Sequence, residues 1–559
     1  MKHSVLRAAL LSTALLFPSA NVQAEGLAGA YLAARSASTA ADFKYAATYF
    51  SRALIEDPGN SFLLNSGIAA NLSLGKLDTA VVLARALESK GEHSPVADLA
   101  LAVQEVVDGD YEALSARIAD GAEIGPVVTQ LFDAWAELGA GKMSSALEKF
   151  EALTKLQGME GVANYHKALA LGSVGDFEGA AEIFRDVDAN GFSHTRSTLT
   201  AYVQVLSQLE RNDQALEELS RVYQDGTADP EFEDLKQRLE AGETLPFAIA
   251  PTPREGIAQA ALTLAEVLSV EGTPDQTILY SRAAELLDPN MISAVLLSAA
   301  MLEDLEQFEL ATQAYAKVPA DSPSFHLAEI GRAETLEHAG KPEEAIKVLR
   351  DLAEVRPDLP IVQVSLADTL RGQEDYQGAS EAYDAALELF PEVDPKQWFI
   401  YYARGICHER LDDFPAAEAD FRQALELYPD QPQVLNYLGY SLVEKNIKLD
   451  EALEMIEKAV AARPNDGYIV DSLAWAYYKL GRYEDAAEIM ERAALLEPLD
   501  PIVSDHLGDA LWMVDRKIEA YFQWRRALSF EPEEKDADRI RRKLDVGLDV
   551  VLEEESRAN

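Results

Sequence analysis

The sequence predicts an all-α protein, a solenoid of antiparallel helix pairs in about fourteen units. Three observations carry that expectation. Ala452, Ala486 and Ala520 fall 34 residues apart, each inside a similar stretch of sequence. Ala, Leu and Glu are abundant and strand-type alternation is scarce, as in helical proteins. The chain has 559 residues, too many for one compact core, whereas a repeat array escapes that limit because each unit packs only on its neighbours.

The N-terminus is a separate element. Lys2, His3 and Arg7 precede an apolar run over Ala8–Phe17, which Pro18 and Ser19 end. Val22-Gln23-Ala24 place small or moderate residues at the −3 and −1 positions of a cut before Glu25. Residues 1–24 are therefore expected to be a secretory signal peptide and the mature chain periplasmic. The run is shorter than the roughly 20 apolar residues of a membrane span, and no later segment is apolar enough to cross a bilayer. Cys407 is the only cysteine, so no intrachain disulfide forms and no cysteine follows the cut to carry a lipid.

The net charge of −47 excludes nucleic acid as a partner, since phosphate binding needs a basic face. It keeps a long solenoid soluble and favours a basic partner.

Along the chain the second helix of each unit carries a small residue and, four positions on, a large apolar one. Ala46 pairs with Phe50, Ala146 with Phe150, Ala180 with Phe184 and Ala311 with Tyr315. Ala345 pairs with Leu349, Ala379 with Tyr383 and Ala417 with Phe421, while weaker copies centre on Ala80, Ala113, Ala215 and Thr277. Positions i and i+4 share a helix face, so the small residue admits a neighbouring helix and the large one fills the space beside it. Gly109, Gly175 and Gly481 end first helices, and Pro429, Pro464, Pro498 and Pro532 stop second ones. Gly439 and Gly508 fall inside first helices, where glycine costs roughly 1 kcal/mol against alanine; close helix packing is the expected compensation.

The phase is lost over residues 223–256. Glu231 to Ala241 fits a short closing helix, and Thr244-Leu245-Pro246 and Pro251-Thr252-Pro253 fit a linker. Two readings stay open: sub-solenoids at 25–222 and 257–532 with a hinge between them, or one superhelix with an odd unit. Beyond residue 532 a charged helix with Ile540, Leu544 and Leu548 on one face is expected to cap the last repeat.

The stretch from Gly467 through Asp471, Ala474, Trp475, Tyr478, Gly481 and Tyr483 resembles the tetratricopeptide repeat consensus at nearly every marked position. The resemblance covers most of the mature chain. It implies a right-handed superhelical solenoid with a concave face lined by first helices, and a general protein-binding scaffold rather than an enzyme. The segments Asn436–Leu442, Asp471–Trp475 and Asp505–Trp512 are also similar to exported bacterial members. One branch of those comprises lipoproteins that deliver substrates to periplasmic C-terminal-processing proteases; their lipid-bearing cysteine is missing here. Envelope assembly and polysaccharide or pilus export are further roles in which such repeats occur.

In this family positions two, five, nine, twelve and thirteen of first helices line the concave wall. Carried over, the resemblance implies a partner site at Asn436, Tyr440, Asp471, Trp475, Tyr478, Asp505, Asp509 and Trp512. Such a wall offers rings as anchors and carboxylates for Lys or Arg of a protein or peptide guest. Packing between helices is the alternative for Trp475 and Trp512, and packing is assigned to Trp524. Arg525, Arg526, Arg539, Arg541, Arg542 and Lys543 are read as ion pairs along a helix face. Adjacent Cys407 and His408 point in different directions on a helix, no zinc spacing or phosphate-binding loop occurs, and neither cofactor nor metal is expected.

Overall fold

The computed structural model describes residues 26–185, 195–222, 229–390 and 392–558. The expected signal peptide and residues 223–228 of the interruption lie outside the described residues. Six helix pairs come first: α1 (Leu27–Thr39) and α2 (Phe43–Glu56), α3 (Ser61–Ser73) and α4 (Leu77–Glu88), α5 (Pro95–Val107) and α6 (Tyr111–Ala119), α7 (Val128–Gly139) and α8 (Met143–Leu153), α9 (Glu160–Ser173) and α10 (Phe177–Arg185), α11 (Arg196–Gln208) and α12 (Asn212–Val222). A short α13 (Pro230–Glu240) stands alone. Eight pairs follow: α14 (Pro253–Glu271) and α15 (Pro274–Leu287), α16 (Ile292–Asp304) and α17 (Phe308–Tyr315), α18 (Phe325–His338) and α19 (Pro342–Val355), α20 (Pro360–Gly372) and α21 (Tyr376–Glu388), α22 (Trp398–Arg410) and α23 (Phe414–Leu427), α24 (Pro432–Glu444) and α25 (Leu449–Ala462), α26 (Gly467–Lys479) and α27 (Tyr483–Leu496), α28 (Pro501–Met513) and α29 (Lys517–Ser529). Helices α30 (Glu534–Val546) and α31 (Leu548–Ala558) close the chain. The fourteen pairs are the predicted all-α helix pairs, and the described residues contain no strand.

Local chemistry sets each pair. Asp466 and Asp500 cap α26 and α28 by accepting the Ile469 and Val503 N–H groups at 3.3 and 2.9 Å. The turn to the second helix needs one left-handed residue, Gly481 in α26–α27 (φ 75°). Arg482 N–H then donates back to Tyr477 O at 2.9 Å. Several turns lack glycine, and Glu374, Asp412 and Asp515 take the same conformation at φ 61–62°. Gly508 shows why a glycine is tolerated inside a first helix: an added Cβ would lie 2.4 Å from the Trp524 indole nitrogen. Trp524 is fully buried, as assigned.

The chain divides into two compact units, one up to Val348 and one from Leu349. Residues 229–256 fall inside the first unit. In that unit first helices touch one another, α3 against α5 and α7 against α9. The face they form is occupied by the chain itself. Helix α14 lies on α7 and α9, and α15 lies on α3 and α5. Gly256 of α14 meets the Trp135 ring of α7 so closely that a Cβ would sit 2.4 Å from it. Arg282 of α15 donates to Ser73 O of α3 at 3.2 Å and is neutralised by Glu285 at 2.7 Å.

The stretch before α14 is a packed strap rather than a free linker. Leu245 N–H donates to Ser207 Oγ at 2.9 Å, and Gln204 Oε1 accepts the Ala248 N–H at 2.8 Å. Leu245 and Ala250 are buried, and Phe247 fills the space over Gly172. Gln204, Ser207 and Gln208 of α11 satisfy the strap's backbone, which lets Leu245 be buried in a segment without secondary structure.

In the second unit α20 touches α22, α24 touches α26, and α26 touches α28, while each second helix touches the next first helix. Among the described residues no two second helices make comparable contact, so first helices form the tighter, inner layer of this unit. The expected single capping helix is two: Gly547 (φ 87°) breaks it, and the Trp512 ring lies where a Cβ at Gly547 would come within 2.8 Å.

Candidate partner-binding site

The inner layer of the second unit holds the residues expected to grip a guest, and the helices do bring most of them together. Trp475 of α26 is stacked between Tyr478, 4.6 Å away at 3°, and His506 of α28, 3.9 Å away at 13°. His506 Nδ1 bonds Asp471 at 3.0 Å, and the Trp475 indole N–H donates to Glu444. Burial by itself would depress the His506 imidazole; Asp471, Asp505 and Asp509 outweigh it and raise its pKa. Burial raises the Tyr440 and Tyr478 phenols above their ordinary range.

Asp505 and Asp509 belong to a second cluster. Lys543 of α30, wholly excluded from water, donates to Asp505 at 2.7 Å and to Asp509 at 2.6 Å. Asp509 also accepts the Trp524 indole N–H at 2.9 Å, and Arg539 stands 3.3 Å from it. Burial, then the neighbouring charge of Asp509, pushes Asp505 up against the pull of Lys543. Trp512 sits apart from both clusters, against Trp524 (5.4 Å) and Tyr521 (5.9 Å), with its own indole N–H buried and unpartnered.

These contacts correct the expected site. Asp471, Trp475, Tyr478, Asp505, Asp509 and Trp512 are at least nine-tenths buried; Asp471 is engaged by His506, and Asp505 and Asp509 by Lys543. Trp475 is a packing ring between first helices, and the two carboxylates of α28 are held by Lys543 and Arg539. Of the basic residues read as pairs along one helix face, Arg541 does pair along α30 with Glu534 and Asp538, whereas Arg539, Arg542 and Lys543 reach across to another helix. Asn436 and Tyr440 are only partly buried, and the Asn436 carbonyl oxygen has no partner.

The surface left open is one register away. The second residue of three first helices is apolar and exposed, Ile361 of α20 (49%), Phe399 of α22 (42%) and Tyr468 of α26 (55%), while α24 between the last two has Gln433 there. Phe399 adjoins Trp398, which packs at a tilt against Tyr402 and Tyr428. Position two was among the lining positions implied by the resemblance, so counting it through every repeat was the signal that would have found this row. Cys407 is buried and its thiol pushed up to about 11 by burial, which makes it a core residue.

Residues 364–432 and 402–467 match one family model described as tetratricopeptide repeat, and residues 445–505 match a second of the same description. Residues 364–505 of the chain are thus tetratricopeptide repeats. Over 186 residues it is 28% identical to the TPR repeat-containing protein PA4667 of Pseudomonas aeruginosa, covering 33% of this chain and 31% of that one. Over 151 residues it is 27% identical to the aspartyl/asparaginyl beta-hydroxylase of Homo sapiens, covering 25% of this chain and 19% of that one. The chain thus spans less than a third of the length of either relative. Among solved structures it is similar to a chain of the APC/C hetero-tetramer Cut9-Hcn1, with a TM-score of 0.38, 15% identity and 93% and 96% of the two chains covered. It is also similar to a tetratricopeptide repeat protein from Parabacteroides merdae, at 0.37, 15%, 52% and 98%. Both likenesses concern the fold alone. A tetratricopeptide repeat array is a scaffold for protein–protein interaction, and no described helix is long and apolar enough to cross a membrane.

Proposed function

We propose that this protein holds an extended segment of another protein across the first helices of its second unit. One observation carries the reading: Ile361, Phe399 and Tyr468 stand exposed at the second position of α20, α22 and α26, whereas in the first unit α14 and α15 lie on the first helices α3, α5, α7 and α9 and leave only Phe62 of α3 exposed among apolar residues at that position. Exposed rings in register supply rigid contact area at little entropic cost. Glu409 on α22, in a chain of charge −47, favours a guest with apolar and basic residues. Binding is geometric and non-catalytic.

The proposal includes export to the periplasm, supported by the basic start, apolar run and cut before Glu25; cell fractionation with sequencing of the mature N-terminus tests it. Service as an adaptor for a C-terminal-processing protease predicts that the purified chain stimulates such a protease on a third protein. An envelope-assembly or polysaccharide or pilus export role predicts co-purification with an outer-membrane channel.

The groove itself is tested by photo-reactive crosslinking from position 399 in cells, together with Ile361→Ala, Phe399→Ala and Tyr468→Ala. The substitutions leave the melting temperature within about 2 °C, as expected of exposed side chains, and abolish the crosslinked product. Undiminished crosslinking in the triple variant refutes the reading.

A further inference from the structure

Helices α30 and α31 are held differently from the hairpins they follow. Helix α30 buries only Ala537 and Ile540 as apolar residues, and α31 adds Leu548 and Val551, whereas α28 alone buries Val503, Leu507, Ala510, Leu511 and Trp512. Charge does the rest. Lys543 sits between Asp505 and Asp509; Arg539 bridges Asp509 and Glu555 at 3.3 and 2.7 Å; Arg542 holds Glu554 at 2.6 Å. Asp505 and Asp509 are at positions five and nine of the last first helix, positions that line the inner layer of this unit. A lysine therefore already occupies the end of that layer, delivered by the chain's own C-terminus.

We propose that α30–α31 is an intramolecular occupant of the inner face of α28, and that a partner segment bearing lysine displaces it and seats its ammonium on Asp505 and Asp509. The proposal rests on the reading that the inner layer of the second unit grips a partner, and it names that partner's chemistry and the regulation of the site. Two acidic side chains converging on one ammonium recognise a cation by geometry and charge together. The covalent tether gives α30 a high effective concentration, so the site is closed until a guest with several cationic contacts competes. Phe530 to Glu533, which includes Pro532 and no helix, is the joint about which the cover moves.

The test uses the full chain and a fluorescein-labelled octapeptide of alternating alanine and lysine, read by fluorescence anisotropy at low salt. Lys543→Gln is expected to bind it at least tenfold more tightly than the unsubstituted chain. Adding Asp505→Asn and Asp509→Asn is expected to remove that gain, and a peptide with glutamine for lysine to show none. A folded Lys543→Gln chain with no gain overturns the proposal, as does a gain that survives loss of both carboxylates. Should the variant fail to fold, hydrogen exchange on the unsubstituted chain decides: α30–α31 amides are expected to exchange at least tenfold faster than those of α28, and faster still with the lysine peptide. Equal protection in the two, or no acceleration by the peptide, overturns it. Failure of the Phe399 crosslink, by contrast, strikes the partner reading and leaves these measurements unchanged.

Discussion

Gly256→Ala examines whether the first unit's inner face is truly filled from within. An alanine Cβ at this position of α14 would lie 2.4 Å from Cε3 and Cζ3 of Trp135 and 2.5 Å from Cδ2. Ordinary contact begins near 3.4 Å, so one side must give by about 1 Å. Trp135 is fully buried, donates its indole N–H to His166 at 3.2 Å and meets Phe150 edge-on at 5.8 Å. The ring is therefore fixed and α14 retreats, which also lengthens the 3.4 Å contact of Thr263 with His166. Overpacking of this kind costs about 1–3 kcal/mol, here toward the upper end because a rigid ring is struck. The helix propensity gained from glycine to alanine returns up to about 1 kcal/mol. A net loss of about 2 kcal/mol is expected, a fall of several degrees in the melting of the first unit by calorimetry. Hydrogen exchange is expected to accelerate in α7, α9 and α14 together. Gly59→Ala is the control, since nothing lies within 4 Å of its added methyl. Unchanged melting and unchanged exchange in Gly256→Ala would refute the packing of α14 into that face.

Acidity affects the second unit through two groups that hold their protons more tightly folded than unfolded. Asp505 is pushed up to about 6 from 3.8 and His506 is raised above 6.5, so folding takes up protons and stability rises as pH falls, through the range just above 6.5 for His506 and from about 6 toward 3.8 for Asp505. Urea titrations are expected to show that slope, reduced in Asp505→Asn; a slope of opposite sign sinks the assignment. Trp475→Ala removes a ring stacked on both faces and is expected to cost about 3–5 kcal/mol in denaturant unfolding, whereas Phe399→Ala stays within about 1 kcal/mol; similar losses would reverse their roles. Glu374→Gly relieves a left-handed non-glycine residue at φ 62° and is expected to raise the urea midpoint by the equivalent of about 1 kcal/mol; a lowered midpoint contradicts the turn chemistry. Arg282→Met leaves Glu285 facing only Lys317 in the buried contact of α15 with α3, and an expected loss of about 3 kcal/mol is read from thermal melting, with unchanged melting as the refuting result.

Much of this protein is legible in its sequence because its period is a local code. Ala486 with Met490, and Gly508 against Trp524, are neighbours within one pair, so a glance along 34 residues finds them. Helix type, turn positions and the burial of Trp524 follow from such contacts alone. The site was less legible. Asp505, Asp509 and Trp475 fall at lining positions, yet whether a lining side chain meets a guest or its own chain depends on what else arrives there. Lys543 arrives one 34-residue period after Asp509, and the period fixes where it falls but not that its ammonium is buried against the two carboxylates.

The filling of the first unit is further still from any local rule. Arg282 reaches Ser73 across 209 positions and Thr263 reaches His166 across 97. The one trace in the sequence is α14 itself, where Gly256, Ile257, Ala258, Ala260, Ala261 and Leu262 make a helix apolar on all sides, the pattern of a helix enclosed all round rather than one lying on a surface. The sequence by itself determined the helix pairs, because each is stabilised by residues a few turns apart. Only the tertiary structure decided which inner face stays open, because that depends on long-range contacts whose partners share no periodic relation along the chain.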